Sequence, residues 1–196
     1  MSFIFNWIFL FITLIASISL MLSRQWKWML IFLGIQYLGE FWFVKTTWPI
    51  SLAVIKLITG IIACLILASA QEGRESISRP ESSVPQGKLF KFFASSLVIL
   101  TALATAHQAS NWMGINNFSG MGTSLLLIGI GLLQLGISTQ PFRVIIALLT
   151  LLSGFEILYA FIETSTLVAA MLVVINIGMA LIGVYLQNKL LLEKTG

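Results

Sequence analysis

The sequence predicts an all-α, polytopic membrane protein of about seven transmembrane helices, with its N-terminus outside and its C-terminus cytoplasmic. Three observations lead there. Of 196 residues, 58% are hydrophobic and only 9% charged, and mean hydropathy is +1.00. So few charges cannot cover a water-soluble domain. Apolar runs of about 20 residues, the length that crosses a bilayer core as a helix, recur at 3–22, 27–44, 49–70, 89–109, 121–138, 142–162 and 165–187. With alternating spans, Arg24, Lys27, Arg74, Arg79, Lys88, Lys91, Arg143, Lys189 and Lys194 fall on one side and only Lys45 on the other. Basic loops face the cytoplasm.

The first run, 3–22, is too long for the apolar core of a signal peptide and has no basic segment before it. Its positive charges, Arg24 and Lys27, follow it, as expected of a first helix with its N-terminus outside. The second run carries Gln36 and Glu40, and the third carries Lys56, Gly60 and Cys64. Residues 1–70 thus read as a three-helix membrane unit.

The stretch "QEGRESISRPESSVPQGK" (71–88) is rich in Ser, Pro, Gly and mixed charge. It reads as a flexible cytoplasmic linker. Residues 89–190 then form a four-helix unit. Its first run ends near His107, an interfacial position, and "NWMGINNFSGMG" (111–122) reads as a surface loop with Trp112 at the interface. Gln134 is expected near mid-membrane. Glu156 lies in the sixth run, Asn176 in the seventh, and Glu163 at a solvated boundary. The links at 46–48, 139–141 and 163–165 are short, so neighbouring helices are antiparallel partners.

Several chemistries are excluded. One cysteine and one histidine cannot supply an internal disulfide, a bis-histidine haem, an iron–sulfur cluster or a multi-ligand zinc site. "GIGLLQLG" (129–136) lies inside a span and follows no strand, so it is not a phosphate loop. No cofactor and no catalytic site are expected. The pI of about 9.5 reflects topology and an anionic leaflet, not nucleic acid.

Three ionisable residues lie well inside predicted spans: Glu40, Lys56 and Glu156. Each costs about 2.5–3.5 kcal/mol at a helix centre on insertion scales, and such groups face protein or water rather than lipid. Small neighbours at helical spacing (Ser153 and Ala160 by Glu156; Ala53, Gly60 and Ala63 by Lys56; Ala169 and Gly183 by Asn176) mark these faces as helix contacts. Glu156 is expected to carry a proton and Glu40–Lys56 to form a charge-coupled pair, with Gln36, Tyr159 and Asn176 as hydrogen-bonding neighbours. The competing reading makes the same groups a static ion pair and packing glue. A weak internal repeat matches "LGIQYLGEFWFV" (33–44) with "LTLLSGFEILYA" (149–160), and "VIKLITGII" (54–62) with "VINIGMALI" (174–182).

The block "LLLIGIGLLQLGISTQPFRVIIALLTLLSGFEILYAFIETSTLVAAMLVVINIGMALIGVYL", within 121–187, resembles the three-helix subunit K of respiratory complex I and its relatives in Mrp antiporters. Arg143 matches that family's basic turn. Glu156 matches its glutamate, about one turn later than the family's Met-Glu-Asn pattern. Where the family's third helix often carries a further acid, this chain has Asn176, which cannot hold a proton as a carboxylate does. The whole chain resembles the hydrogenase-4 component E family: three helices, a polar linker, then four helices. Lys56 in "LAVIKLITGIIACLILASAQ" falls at that family's intramembrane lysine.

The resemblance implies a non-catalytic membrane subunit of a complex-I-like, hydrogenase-type or Mrp-type assembly in a bacterial cell membrane. Antiporter-like membrane subunits would be its partners, and redox chemistry would lie in those partners. Protons or Na⁺ would move through the buried Glu and Lys residues. The alternatives are a scaffold subunit of a respiratory or photosynthetic complex and a free-standing small transporter. The last ranks lowest, for want of the convincing two-fold repeat and broken helices common in transporters.

Overall fold

The computed structural model describes residues 2–23, 25–72, 86–114 and 117–195. Their helices are α1 (Ser2–Leu22), α2 (Trp26–Val44), α3 (Ile50–Glu72), α4 (Gln86–Met113), α5 (Phe118–Ile137), α6 (Pro141–Ile162) and α7 (Thr166–Thr195). Six of them, all but α2, are long and apolar enough to cross a membrane, which makes the chain a multi-pass membrane protein. The exception has a physical cause. α2 packs against α1, α3 and α6, and its buried side includes Gln36, Tyr37, Gly39 and Glu40. A helix surrounded by protein can carry polar groups that a lipid-facing helix cannot.

Outward faces of the bundle are apolar: Ile4, Phe11, Ile15, Leu65, Leu97, Val174 and others are exposed. In a bilayer such faces meet acyl chains. α6 is the most buried span, at 61%, and α4 the least, at 17%, so α6 is central and α4 peripheral. α5 and α6 approach backbone to backbone. A Cβ on Gly154 would lie 2.7 Å from Ile128 N, and one on Gly131 would lie 2.8 Å from Leu151 N. These glycines fix the crossing, as small residues do between membrane helices.

Helix ends sort into two layers. At the basic end, Arg143 Nη2 donates to Ser23 O (3.0 Å) and Gln71 Nε2 donates to Gln187 Oε1 (2.9 Å). At the opposite end, Trp48 Nε1 donates to Glu163 O (3.0 Å) and Trp42 Nε1 donates to Asn6 Oδ1 (3.0 Å). Trp42 also stacks on Phe9 and carries Lys45 over its ring. That is the amphipathic arrangement of an interfacial anchor.

Two expectations change here. The stretch 111–122 is mostly helix: α4 continues to Met113 and α5 starts at Phe118, capped by Asn117, whose side chain accepts from Gly120 N. Trp112 stands 86% exposed on the last turn of α4. Gln134 is not at mid-helix but in the last turn of α5, at the basic end. There it lines a shallow pocket with Lys91, Ser138 and Arg143. Most of the expected linker, 73–85, lies outside the described residues.

The helices also repeat at a fixed spacing. Ser2 and Phe118, which begin α1 and α5, stand 116 residues apart, as do Ile50 and Thr166, which begin α3 and α7. Before α2 and α6 sit Gln25 (φ −87°, ψ 131°) and Gln140 (φ −81°, ψ 129°), with nearly the same backbone. Corresponding helices lie side by side, α1 with α5, α2 with α6 and α3 with α7. The matched segments in α2 and α6 have this spacing. Those expected in α3 and α7 do not: they are out of register by one helical turn, and Gly60, not Lys56, corresponds to Asn176.

Candidate functional site: a buried acid–lysine cluster

Glu40 lies four residues before the end of α2, Lys56 in the second turn of α3, and Glu156 six residues before the end of α6. At about 1.5 Å per residue these positions share one level, about 6–9 Å in from the end opposite the basic one. All three point into the bundle, with relative exposures of 2%, 4% and 2%.

Lys56 Nζ forms an ion pair with Glu156 Oε1. Glu40 completes the group, with Glu156, Lys56 and Ser153 as its charged and polar neighbours. Glu40 and Lys56, expected to be charge-coupled, do interact electrostatically, but the direct ion-pair partner of Lys56 is Glu156, from a helix 100 residues away in sequence. This follows from α2 lying between α3 and α6, touching each. Lys56 Nζ is held by Glu156 Oε1, and Glu40 faces the Glu156 carboxyl and Ser153, so the buried charges are partnered chiefly by one another.

Tyr37 forms one wall. Its ring packs over Gly60, where a Cβ would come within 2.4 Å of it. Gly60 is one turn from Lys56 on the same face of α3, so this missing side chain lets α2 and α3 close on the cluster. The Tyr37 hydroxyl donates to Asn176 Oδ1 at 3.0 Å, which brings α7 into the site. Tyr37 was not singled out from the sequence, though its spacing from Glu40 places the two on one helix face.

The other expected residues divide. Asn176 joins the site through Tyr37. Gln36 is fully buried but serves a separate chain: its Nε2 donates to Ser17 Oγ (2.7 Å) and its Oε1 accepts from Thr150 Oγ1 (3.2 Å), linking α1, α2 and α6. Tyr159, expected as a hydrogen-bonding neighbour, lies among aromatic rings. Its ring packs edge-on against Trp48 and stacks on Phe155, within an apolar layer. His107 is exposed on α4, and Glu163 is exposed at the end of α6.

Apolar layers close the cluster on both sides. Toward the near end lie Val44, Trp48, Ala53, Ala160 and Ala169. Toward the basic end lies a thicker layer that includes Leu30, Leu33, Leu67, Ile146, Leu149 and Ala180. Two carboxyls and one ammonium are thus held in a buried compartment among α2, α3, α6 and α7. No family model, curated protein or solved structure matches the chain.

Proposed function

We propose that the chain carries protons, or Na⁺, across the membrane through the Glu40–Lys56–Glu156 cluster. The observation that supports this is the charge count of a buried site. With both acids ionised, one negative charge is left over against Lys56, in surroundings that cannot solvate it. One proton or one small cation restores neutrality, and the facing carboxyls of Glu40 and Glu156 are placed to receive it. A group whose occupancy is set by a single exchangeable charge is suited to translocation, whereas packing glue needs no surplus acid.

In its assembly we assign the chain the role of a membrane subunit of a complex-I-like, hydrogenase-type or Mrp-type complex, beside antiporter-like subunits that house any redox chemistry. That assignment rests on the resemblance of Arg143, Glu156 and Lys56 to those families. A second reading, a free-standing transporter, gains from the 116-residue repeat seen in the helices. The test is proton uptake by native membrane vesicles carrying Glu156→Gln or Glu40→Gln, with partners identified by mass spectrometry after mild detergent extraction. Uptake lost with assembly intact is the expected result. Unchanged uptake in both variants defeats the translocation reading, and partners without antiporter-like subunits defeat the complex-I-like assignment.

A further inference from the structure

The basic end of the bundle holds polar groups that the acid–lysine cluster does not use. They gather around the shallow pocket beside Gln134. Lys91 lines it from α4, Gln134 from the last turn of α5, Ser138 from just beyond that turn, and Arg143 from the start of α6, with Leu20 and Met21 from α1 beside them. Two of the lining side chains are cationic and none is acidic. Like charges in one half-buried pocket repel, and an anion between them relieves the repulsion. Arg143 is oriented by the bond from Nη2 to Ser23 O, and a guanidinium carries further N–H donors in the same plane. Gln134 is only 5% exposed, yet its Nε2 makes no hydrogen bond among the described residues. A buried amide normally has a partner. α6 begins at Pro141 with no acid in its first turn and no side-chain cap, so its positive end adds to the field of the two cations.

We infer that this pocket binds the phosphate of an anionic phospholipid. A phosphate offers several acceptor oxygens to the ammonium of Lys91, the fork of Arg143, the spare amide donor of Gln134 and the hydroxyl of Ser138. Two features select a lipid over a free phosphate ion. The pocket lies at the level of the helix ends, where headgroups lie, and basic ends of membrane bundles face the leaflet rich in anionic lipid. The helix that carries Lys91 is also the span most open to lipid: α4 is 17% buried, and Phe93, Leu97 and Leu100 are exposed along one of its faces. Acyl chains descending from a headgroup at Lys91 meet that apolar surface, and a free ion gains nothing from it. The bound lipid has a structural consequence. α4 packs on α5 and to a lesser extent on α1. A phosphate shared by Lys91 and Arg143 ties this peripheral helix to α6, the central one, and so steadies the bundle. The site stands apart from Glu40, Lys56 and Glu156, and its test does not depend on what they carry.

The test uses the full chain, stripped of lipid in mild detergent, with dioleoyl phosphatidylglycerol, dioleoyl phosphatidylcholine and inorganic phosphate as probes. Native mass spectrometry reads the lipid retained, and thermal unfolding reads its effect on the fold. Phosphatidylglycerol is expected to stay bound and to raise the melting temperature, and phosphatidylcholine to do neither. Lys91→Gln should weaken the binding about fivefold, the effect of one basic residue near an anionic lipid surface. Gln134→Leu, which leaves both cations in place, should weaken it as well. Lys189→Gln removes the same charge from an exposed position on α7 and should leave the binding unchanged. Equal phosphatidylglycerol affinity in the wild type and in Lys91→Gln overturns the site. So does an equal loss in Lys91→Gln and Lys189→Gln, which would mean general charge attraction and no pocket. Inorganic phosphate that stabilises the chain as much as the lipid does, and displaces it, overturns the lipid and leaves a free-anion site.

Discussion

Lys56 on α3 and Glu156 on α6 form a buried ion pair, and Glu40 on α2 neighbours Glu156 and interacts electrostatically with Lys56. The lysine therefore has two possible counter-ions. Its stability should depend on losing both, not either. Glu40→Gln and Glu156→Gln are each expected to destabilise modestly, because one carboxylate remains. The double variant leaves a buried ammonium alone and should cost about 3–5 kcal/mol, well beyond the sum of the singles. Adding Lys56→Met should restore most of that loss. Thermal denaturation of the four variants in detergent reads the cycle, and additive losses would contradict the shared site.

The seven helices and the depth of the three ionisable residues were legible in the sequence, because hydropathy and charge placement directly reflect the solvent a helix meets. The partner of Lys56 was not. Which helices touch depends on how nearly featureless apolar faces pack, and that leaves little trace in a hydropathy profile. The same uniformity hid the register of the repeat: apolar residues match in many alignments, so the segments in α3 and α7 were paired one turn out. Tyr37 was not singled out, because nothing in the local sequence sets it apart from Tyr159. The packing of its ring over Gly60 is a tertiary fact. At 111–122, turn-forming residues outweighed the helical continuation through Asn111, Trp112 and Met113.

The glycines separate into those with neighbours and those without. Gly154→Ala and Gly131→Ala drive a Cβ into the backbone of the facing helix, and each is expected to cost about 1–3 kcal/mol or more, since backbone cannot move aside. Gly34→Ala meets nothing within 4 Å and should gain up to about 1 kcal/mol from helix propensity. Melting temperatures of the three variants decide this, and a destabilising Gly34→Ala would show that the α5–α6 contact is not what sets the sensitivity.

Ser17, Gln36 and Thr150 link α1, α2 and α6 away from the charged cluster. Gln36→Leu should therefore lower stability by about 1–2 kcal/mol without altering ion flux through the cluster. Ser17 keeps a partner in this variant, the Thr13 carbonyl that its hydroxyl already uses at 2.8 Å, so the loss stays small. A collapse of flux at unchanged stability would place Gln36 in the conduction path instead.

Tyr37 and Asn176 offer the sharpest contrast between packing and chemistry. Tyr37→Phe removes a donor and leaves Asn176 Oδ1 without its bond, while Asn176→Leu strands the Tyr37 hydroxyl. Each is expected to cost about 1–3 kcal/mol, because the orphaned group is buried. Asn176→Asp differs in kind. It keeps an acceptor for Tyr37 but adds, from α7, a third acid next to the two of the cluster. If the site exchanges a single charge, the added carboxyl should shift the pH at which flux is half-maximal while leaving the fold intact. Proton flux measured across a pH series in Asn176→Asp and wild-type liposomes tests this. Identical pH profiles at equal stability would mean that Asn176 is packing alone and that the site ends at Tyr37.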